Sequence, residues 1–173
     1  HLFYVFVYTL LLKTRTPQNI VIGGAAGAIG PLIGWAAATG TLAWPAWVLF
    51  LIVTMWTPPH FWSLALKYKN DYAQAGIPMY PVIYGDDRTR VQIVVYTLGL
   101  IPLVCALYIG HASGAVYFVL SVLLTGKFLW DALALLALGT SERAMKLFHF
   151  SCFYTFGICG AVSLDRYLAV LWR

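Results

Sequence analysis

The stretch WTPPHFWSLALKYKNDYAQAGIPMYP, residues 56–81, leaves a strongly apolar segment and enters a polar one. It holds His60, Lys67, Lys69 and Asp71 in a chain in which only 10% of the residues are charged. Ionisable groups beside an apolar belt are costly, so they are candidates for function. If the stretch is helical, Lys67 and Asp71 follow His60 at offsets of seven and eleven residues and share its face.

The composition points to a membrane protein. Hydrophobic residues make up 61% of the 173 residues, and the mean hydropathy is +0.80. These values exclude an ordinary soluble globular domain. A bilayer crossing takes about 20 apolar residues. We predict spans at 19–39, 42–66, 91–110, 115–138 and 147–168, in one all-α transmembrane helical bundle domain covering residues 1–173.

The apolar run 2–12 is too short to span a bilayer. Because the chain starts with His1 inside this run, we expect an N-terminal part to precede it. The run is then the end of a preceding helix.

The basic residues are grouped by the predicted spans. Eight of them fall in connections separated by two crossings each, so they share one side of the membrane: Lys13, Arg15, Lys67, Lys69, Arg88, Arg90, Arg143 and Lys146. The positive-inside rule puts that side in the cytoplasm. A nucleic-acid-binding patch is the alternative interpretation of the +5 charge, but charges split among short loops argue against it.

Prolines and paired charges predict local features of the spans. Pro31 should kink the first span, whose glycines at 23, 27, 30 and 34 form a stripe for close helix packing. Pro58–Pro59 should break the second, so that residues 60–72 form a short helix that tilts away. Lys127 and Asp131 should neutralise each other within the fourth.

Two polar segments, residues 13–19 and 67–71, share the predicted cytoplasmic side. Together they offer cations, an amide and a carboxylate beside the mouth of a helical bundle. The diphosphate ester of a lipid needs this set, because its oxygens bind Lys and Arg while its Mg²⁺ binds carboxylates. A transporter of anionic solutes would use similar residues.

Several sequence segments resemble those of the UbiA-type intramembrane prenyltransferases, in particular the members that farnesylate haem. These segments are YTLLLKTRTPQNIVIGGAAGA, IGW, PHFWSLAL and DYAQAGIPM. The resemblance implies a nine-helix bundle, of which this chain is the C-terminal part. It also implies transfer of a farnesyl group from farnesyl diphosphate to a vinyl group of haem B, with addition of water, to give haem O and diphosphate for haem A/O biosynthesis.

The resemblance also implies site residues. Asp71 would hold Mg²⁺, with further ligands from the N-terminal part, and would be catalytic together with Lys67, which binds the diphosphate. Lys13, Arg15 and Asn19 would bind the same diphosphate. His60 would ligate or orient haem B, a substrate and not a cofactor. Trp62 would stack on the porphyrin, with a role in helix packing as the alternative. Because part of the Mg²⁺ site would be missing, we expect the isolated chain to be inactive.

Two alternatives remain open at this point: prenyl transfer to an aromatic quinone precursor, and a membrane transporter fragment. The resemblance places the protein in the bacterial or mitochondrial inner membrane, with its catalytic loops on the cytoplasmic or matrix side. Its other partners would be the lipid bilayer and a haem A synthase or terminal oxidase assembly.

Overall fold

The computed structural model describes residues 15–171, and within this range the chain is helical and has no strand. The helices are α1 (Asn19–Gly27), α2 (Gly30–Thr39), α3 (Trp44–Lys67), α4 (Lys69–Gln74), α5 (Tyr80–Tyr84), α6 (Asp86–Ile109), α7 (Ala115–Leu138) and α8 (Ser141–Leu171). Five segments are long and apolar enough to cross a membrane, namely α1 with α2, α3, α6, α7 and α8. The prediction of an all-α transmembrane bundle is confirmed.

Short connections make successive spans run in opposite directions. Gly139, with a φ of 62°, allows α7 and α8 to be joined by two residues. The "basic end" of the bundle therefore collects the start of α1, the end of α3, helices α4 and α5, and the start of α6 and α8. At the opposite "far end", the connections 40–43 and 110–114 contain no Lys or Arg.

The first span is broken near its proline, as predicted. Helix α1 ends at Gly27, and Pro31 lies in the first turn of α2. Close packing occurs at Gly24, where an added Cβ would lie 2.8 Å from Thr57 Cγ2. A Cβ on Gly27, Gly30 or Gly34 would meet no atom within 4 Å in the described part of the chain. At these three positions, no described residue packs on the predicted glycine stripe.

Helix α3 runs without interruption through Pro58 and Pro59 and ends at Lys67, so the break predicted at the prolines is wrong. Both prolines are buried. Unwinding the helix among apolar neighbours would leave more backbone groups unpaired than the two hydrogen bonds that the prolines remove. The chain breaks instead at Tyr68, and α4 begins after it.

The core lies where α3, α6, α7 and α8 pack together. Its largest enclosed side chains are Trp62, Tyr117, Phe128 and Tyr154. The tyrosines keep their hydroxyls paired, Tyr117 with the carbonyl of Val104 at 3.2 Å and Tyr154 with Thr125 at 3.1 Å. Lys127 and Asp131 form the predicted ion pair, with Asp131 buried.

Candidate functional site

A groove of about 530 Å³ opens at the basic end between the last turn of α3 and the first turns of α8. It is lined by Lys67, Ser141, Glu142, Met145, Lys146 and His149. Lys146 and His149 lie on one face of α8 because they are three residues apart. Within residues 15–171, neither Lys67 nor Lys146 forms an ion pair. The groove therefore offers two unpaired ammonium groups to an anion.

Asp71 lies in the first turn of α4 and is exposed. His60 and Lys67 lie seven residues apart on α3 and share its face, as predicted. Because Tyr68 separates α4 from α3, the prediction that Asp71 continues that same face is wrong. Lys69 ties α4 to α6 by donating a hydrogen bond of 2.8 Å to Asp86. Asp71 itself has no side-chain hydrogen bond or ion pair to any described residue, so its carboxylate is available.

The described residues contain no group of three or more His, Cys, Asp or Glu side chains that could hold a metal ion. They therefore do not build a cation site from protein ligands alone. Mg²⁺ is commonly held by one or two carboxylates together with phosphate oxygens and water. A single available carboxylate at Asp71 fits that mode of binding, with the oxygens of a diphosphate as further ligands.

The turn before α1 lies at the same end of the bundle. Arg15 is exposed, and Asn19, the first residue of α1, is 1% exposed. Helix α1 packs on α3, where Ile20 and Phe61 line a shared cleft. This packing places Asn19 near the level of the last turns of α3. Lys13 lies outside the described residues.

The imidazole of His60 is held between two helices. It stacks on Trp56 with a centroid distance of 4.5 Å, and on Phe148 of α8 at 4.8 Å. Its Nδ1 lies 2.7 Å from Ser151 Oγ. Trp56 Nε1 donates to the carbonyl of the same Ser151 at 2.8 Å. These contacts fix both the plane and the edge of the ring.

Trp62, the other residue predicted to contact haem, is 1% exposed. Its ring packs on Tyr80 at 4.7 Å and edge-on against Tyr96 at 5.4 Å. It thereby joins α3 to α5 and α6. Stacking of Trp62 on a porphyrin stays a prediction, and its contacts in the described part of the chain are those of a core residue.

An apolar cavity of about 340 Å³ lies deeper in the bundle between α2, α3 and α8. Trp56, which stacks on His60, forms part of its wall together with Ile52 and Ile158. From the basic end inwards, α3 and α8 thus present a cationic groove, a fixed imidazole and an apolar cavity in succession. A molecule with an anionic head and a hydrocarbon tail matches that order.

The contribution of α8 to this site was not predicted from the sequence. Lys146 was used only as one of the basic residues that indicate the orientation in the membrane. Its spacing of three residues from His149, near the end of a span, could have indicated a shared site. Phe148 and Ser151 carried no signal. Ser151 meets His60 across 91 residues of sequence, and no local pattern encodes such a contact.

Curated relatives cover nearly the whole chain. One relative is a protein from a Synechococcus strain that is named protoheme IX farnesyltransferase. The two sequences are 52% identical over 168 residues, and this aligned region makes up 96% of this chain and 51% of the relative. A protein of the same name from Synechocystis is 50% identical, over 94% of this chain and 52% of its own length. Another, from Bordetella avium, is 44% identical, over 97% of this chain and 56% of its own length. The chain thus spans about half the length of the curated relatives it matches.

No solved structure matches the chain. The sequence model of the UbiA prenyltransferase family, in contrast, matches residues 1–156. That match covers most of the sequence, including α1 to α7 and the first half of α8. The chain belongs to the UbiA prenyltransferase family.

Proposed function

We propose that this chain acts in the transfer of a farnesyl group from farnesyl diphosphate to a vinyl group of haem B, with addition of water, to give haem O and diphosphate. The observation that carries the proposal is 44–52% identity, over nearly the whole chain, to relatives named for this reaction. The order of groove, imidazole and cavity along α3 and α8 supports it.

The reaction breaks the allylic C–O bond, and the electron pair leaves with the diphosphate. The π electrons of the vinyl group form the new C–C bond to the allylic carbon. Water then adds to the carbon next to the porphyrin ring and loses a proton. Departure of the diphosphate requires preorganised positive charge near its oxygens, and an apolar cavity shields the allylic cation from early capture by water.

The charged side chains at the basic end would bind the diphosphate. Lys67 would reach it from the groove that it lines together with Lys146 of α8. Lys13, Arg15 and Asn19 would approach from the turn before α1. Asp71 would hold Mg²⁺ with further carboxylates supplied outside the described residues, and bound Mg²⁺ would neutralise charge on the leaving group.

The farnesyl chain and haem would occupy the apolar interior. The cavity beside Trp56 suits hydrocarbon, and the His60 imidazole next to it suits haem iron, for which imidazole is a common axial ligand. Trp62 would either stack on the porphyrin or hold α3 in place through its contacts with Tyr80 and Tyr96.

We place the protein in the bacterial or mitochondrial inner membrane, with the basic end on the cytoplasmic or matrix side, because Lys and Arg concentrate at that end. A haem A synthase or terminal oxidase assembly would receive haem O.

The test is haem O formation by the full-length protein in membranes supplied with haem B and farnesyl diphosphate. Asp71→Ala should lower the rate on the order of 100-fold or more while insertion into the membrane is unchanged. Asp87→Ala is the matched control, because its carboxylate is 92% exposed and pairs with Arg90 of its own helix. A normal rate in Asp71→Ala would contradict the assignment of Asp71.

Two further measurements on the same membranes, prenylation of an aromatic acid and uptake of an anionic solute, separate the alternatives. The names of the relatives favour haem over an aromatic quinone precursor, and membership of a prenyltransferase family weighs against a transporter. Prenylation of an aromatic acid without formation of haem O would contradict the proposed acceptor. Uptake of an anionic solute without prenyl transfer would contradict the proposed reaction.

A further inference from the structure

The hydroxyl of Ser151 has two close polar neighbours. Its Oγ lies 2.6 Å from the carbonyl oxygen of Phe148, one turn earlier in α8. It also lies 2.7 Å from Nδ1 of His60 on α3. Both distances are those of good hydrogen bonds.

A proton count decides the direction of these bonds. A serine hydroxyl has one proton to donate, whereas a backbone carbonyl has none. Two oxygens 2.6 Å apart with no proton between them would repel each other, so the Ser151 proton lies on the path to the Phe148 carbonyl. Ser151 Oγ must then accept from His60, which requires a proton on Nδ1.

We infer that Ser151 is a positioning residue that holds His60 as the Nδ1–H tautomer and leaves the lone pair of Nε2 free for a Lewis acid. Among residues 15–171, Nε2 has no hydrogen-bond partner. If haem B binds as proposed above, its iron is the Lewis acid, and this part of the inference rests on the proposed function.

The rings on both sides of His60 strengthen the inference. Trp56 and Phe148 lie at 23° and 26° to the imidazole plane, so the ring is clamped between two faces. Trp56 is itself held by its hydrogen bond to the Ser151 carbonyl. A neutral imidazole that donates from its other nitrogen is the arrangement of metal-binding histidines, in which the second bond orients the ring and raises its basicity.

The test is nitrogen-15 NMR of the full-length protein, prepared without haem in lipid nanodiscs, with histidine labelled at Nδ1 or Nε2. The His60 signals are identified by their loss in His60→Asn. We expect a protonated Nδ1 and an unprotonated Nε2. An Nε2–H tautomer in the wild-type protein would overturn the inference.

Three variants separate positioning from packing. Ser151→Ala should move His60 towards the Nε2–H tautomer, and Ser151→Thr should restore Nδ1–H, because a threonine hydroxyl makes the same bond to the preceding turn. Ser163→Ala is the matched control on α8, where the hydroxyl donates to the carbonyl of Cys159 at 3.0 Å and has no hydrogen bond to a histidine among residues 15–171. An unchanged tautomer in Ser151→Ala, with helix content retained, would overturn the inference.

Haem titration by absorbance then tests the link to the proposed function. Ser151→Ala should weaken haem affinity by about 10–100-fold, and Ser151→Thr should recover it. Unchanged affinity in His60→Ala would remove the haem role of His60 from the proposed function. The tautomer assignment would stand, because it is measured without haem.

Discussion

The two ends of the bundle treat their ionisable side chains differently. At the far end, Asp165 of α8 is buried and accepts hydrogen bonds from the backbone N–H groups of Gly114 at 2.6 Å and Tyr117 at 3.2 Å. Arg166 beside it donates to the carbonyl of Ala112. At the basic end, Lys69 pairs with Asp86 and Arg90 with Asp87, but three other charged residues named for the site, Lys67, Asp71 and Lys146, form no ion pair with any described residue. Charges that satisfy the backbone are structural, and those left available are suited to a ligand.

The largest expected effect is at the far end. Asp165→Ala removes the acceptor of two backbone N–H groups at the start of α7, so the free energy of unfolding should fall by about 3 kcal/mol. Activity per folded molecule should be retained. Unfolding in detergent measures the first quantity, and haem O formation by the folded fraction measures the second.

Asp165→Asn is the control for this change, because it keeps one carbonyl oxygen and should lose about half as much stability. A loss of activity without a loss of stability in Asp165→Ala would contradict the structural role assigned to Asp165.

The next effect is at the basic end. If Lys67 binds the diphosphate as proposed, Lys67→Ala should leave stability unchanged and raise the KM for farnesyl diphosphate on the order of 10-fold, because a charged hydrogen-bond donor would be lost. Arg88→Ala, which removes one exposed positive charge at the same end, should change KM by about twofold at most. Equal effects of the two variants would show that net charge, and not the groove, attracts the substrate.

The smallest effect concerns the tie between α4 and α6. Lys69→Ala breaks its partly exposed ion pair with Asp86, which should cost about 0.5 kcal/mol of stability. Because the pair helps to hold the helix that carries Asp71, kcat should fall by about threefold. The same substitution in an Asp86→Ala background should have no further effect, and an additive loss would show that Lys69 acts independently of the pair.

Hydropathy predicted the spans well. It located all five, and α7 was predicted with the bounds that the structure shows. The last span was predicted as 147–168, but α8 is longer and continues to Leu171. Asp165 and Arg166 resembled the end of a span, whereas their polar groups are bonded to the loop before α7 and to the first turn of α7, and α8 continues past them.

Local rules failed where distant neighbours decide the outcome. Two consecutive prolines predict a break, yet packing keeps α3 continuous, and the break at Tyr68 has no sequence signal that we recognise. The candidate site shows the same limit. Lys67 and His60 were found from their setting in one segment, whereas Ser151 and Phe148 became visible only when α8 was placed beside α3.

The cap on α7 has a consequence for biogenesis. Asp165 follows the amides that it satisfies by 51 and 48 residues, so those amides wait for their partner while the ribosome makes the intervening chain. The hairpin of α6 and α7 can enter the bilayer first, but its turn is completed only when the last helix arrives. Until Asp165 is in place, the start of α7 has two backbone N–H groups without this acceptor.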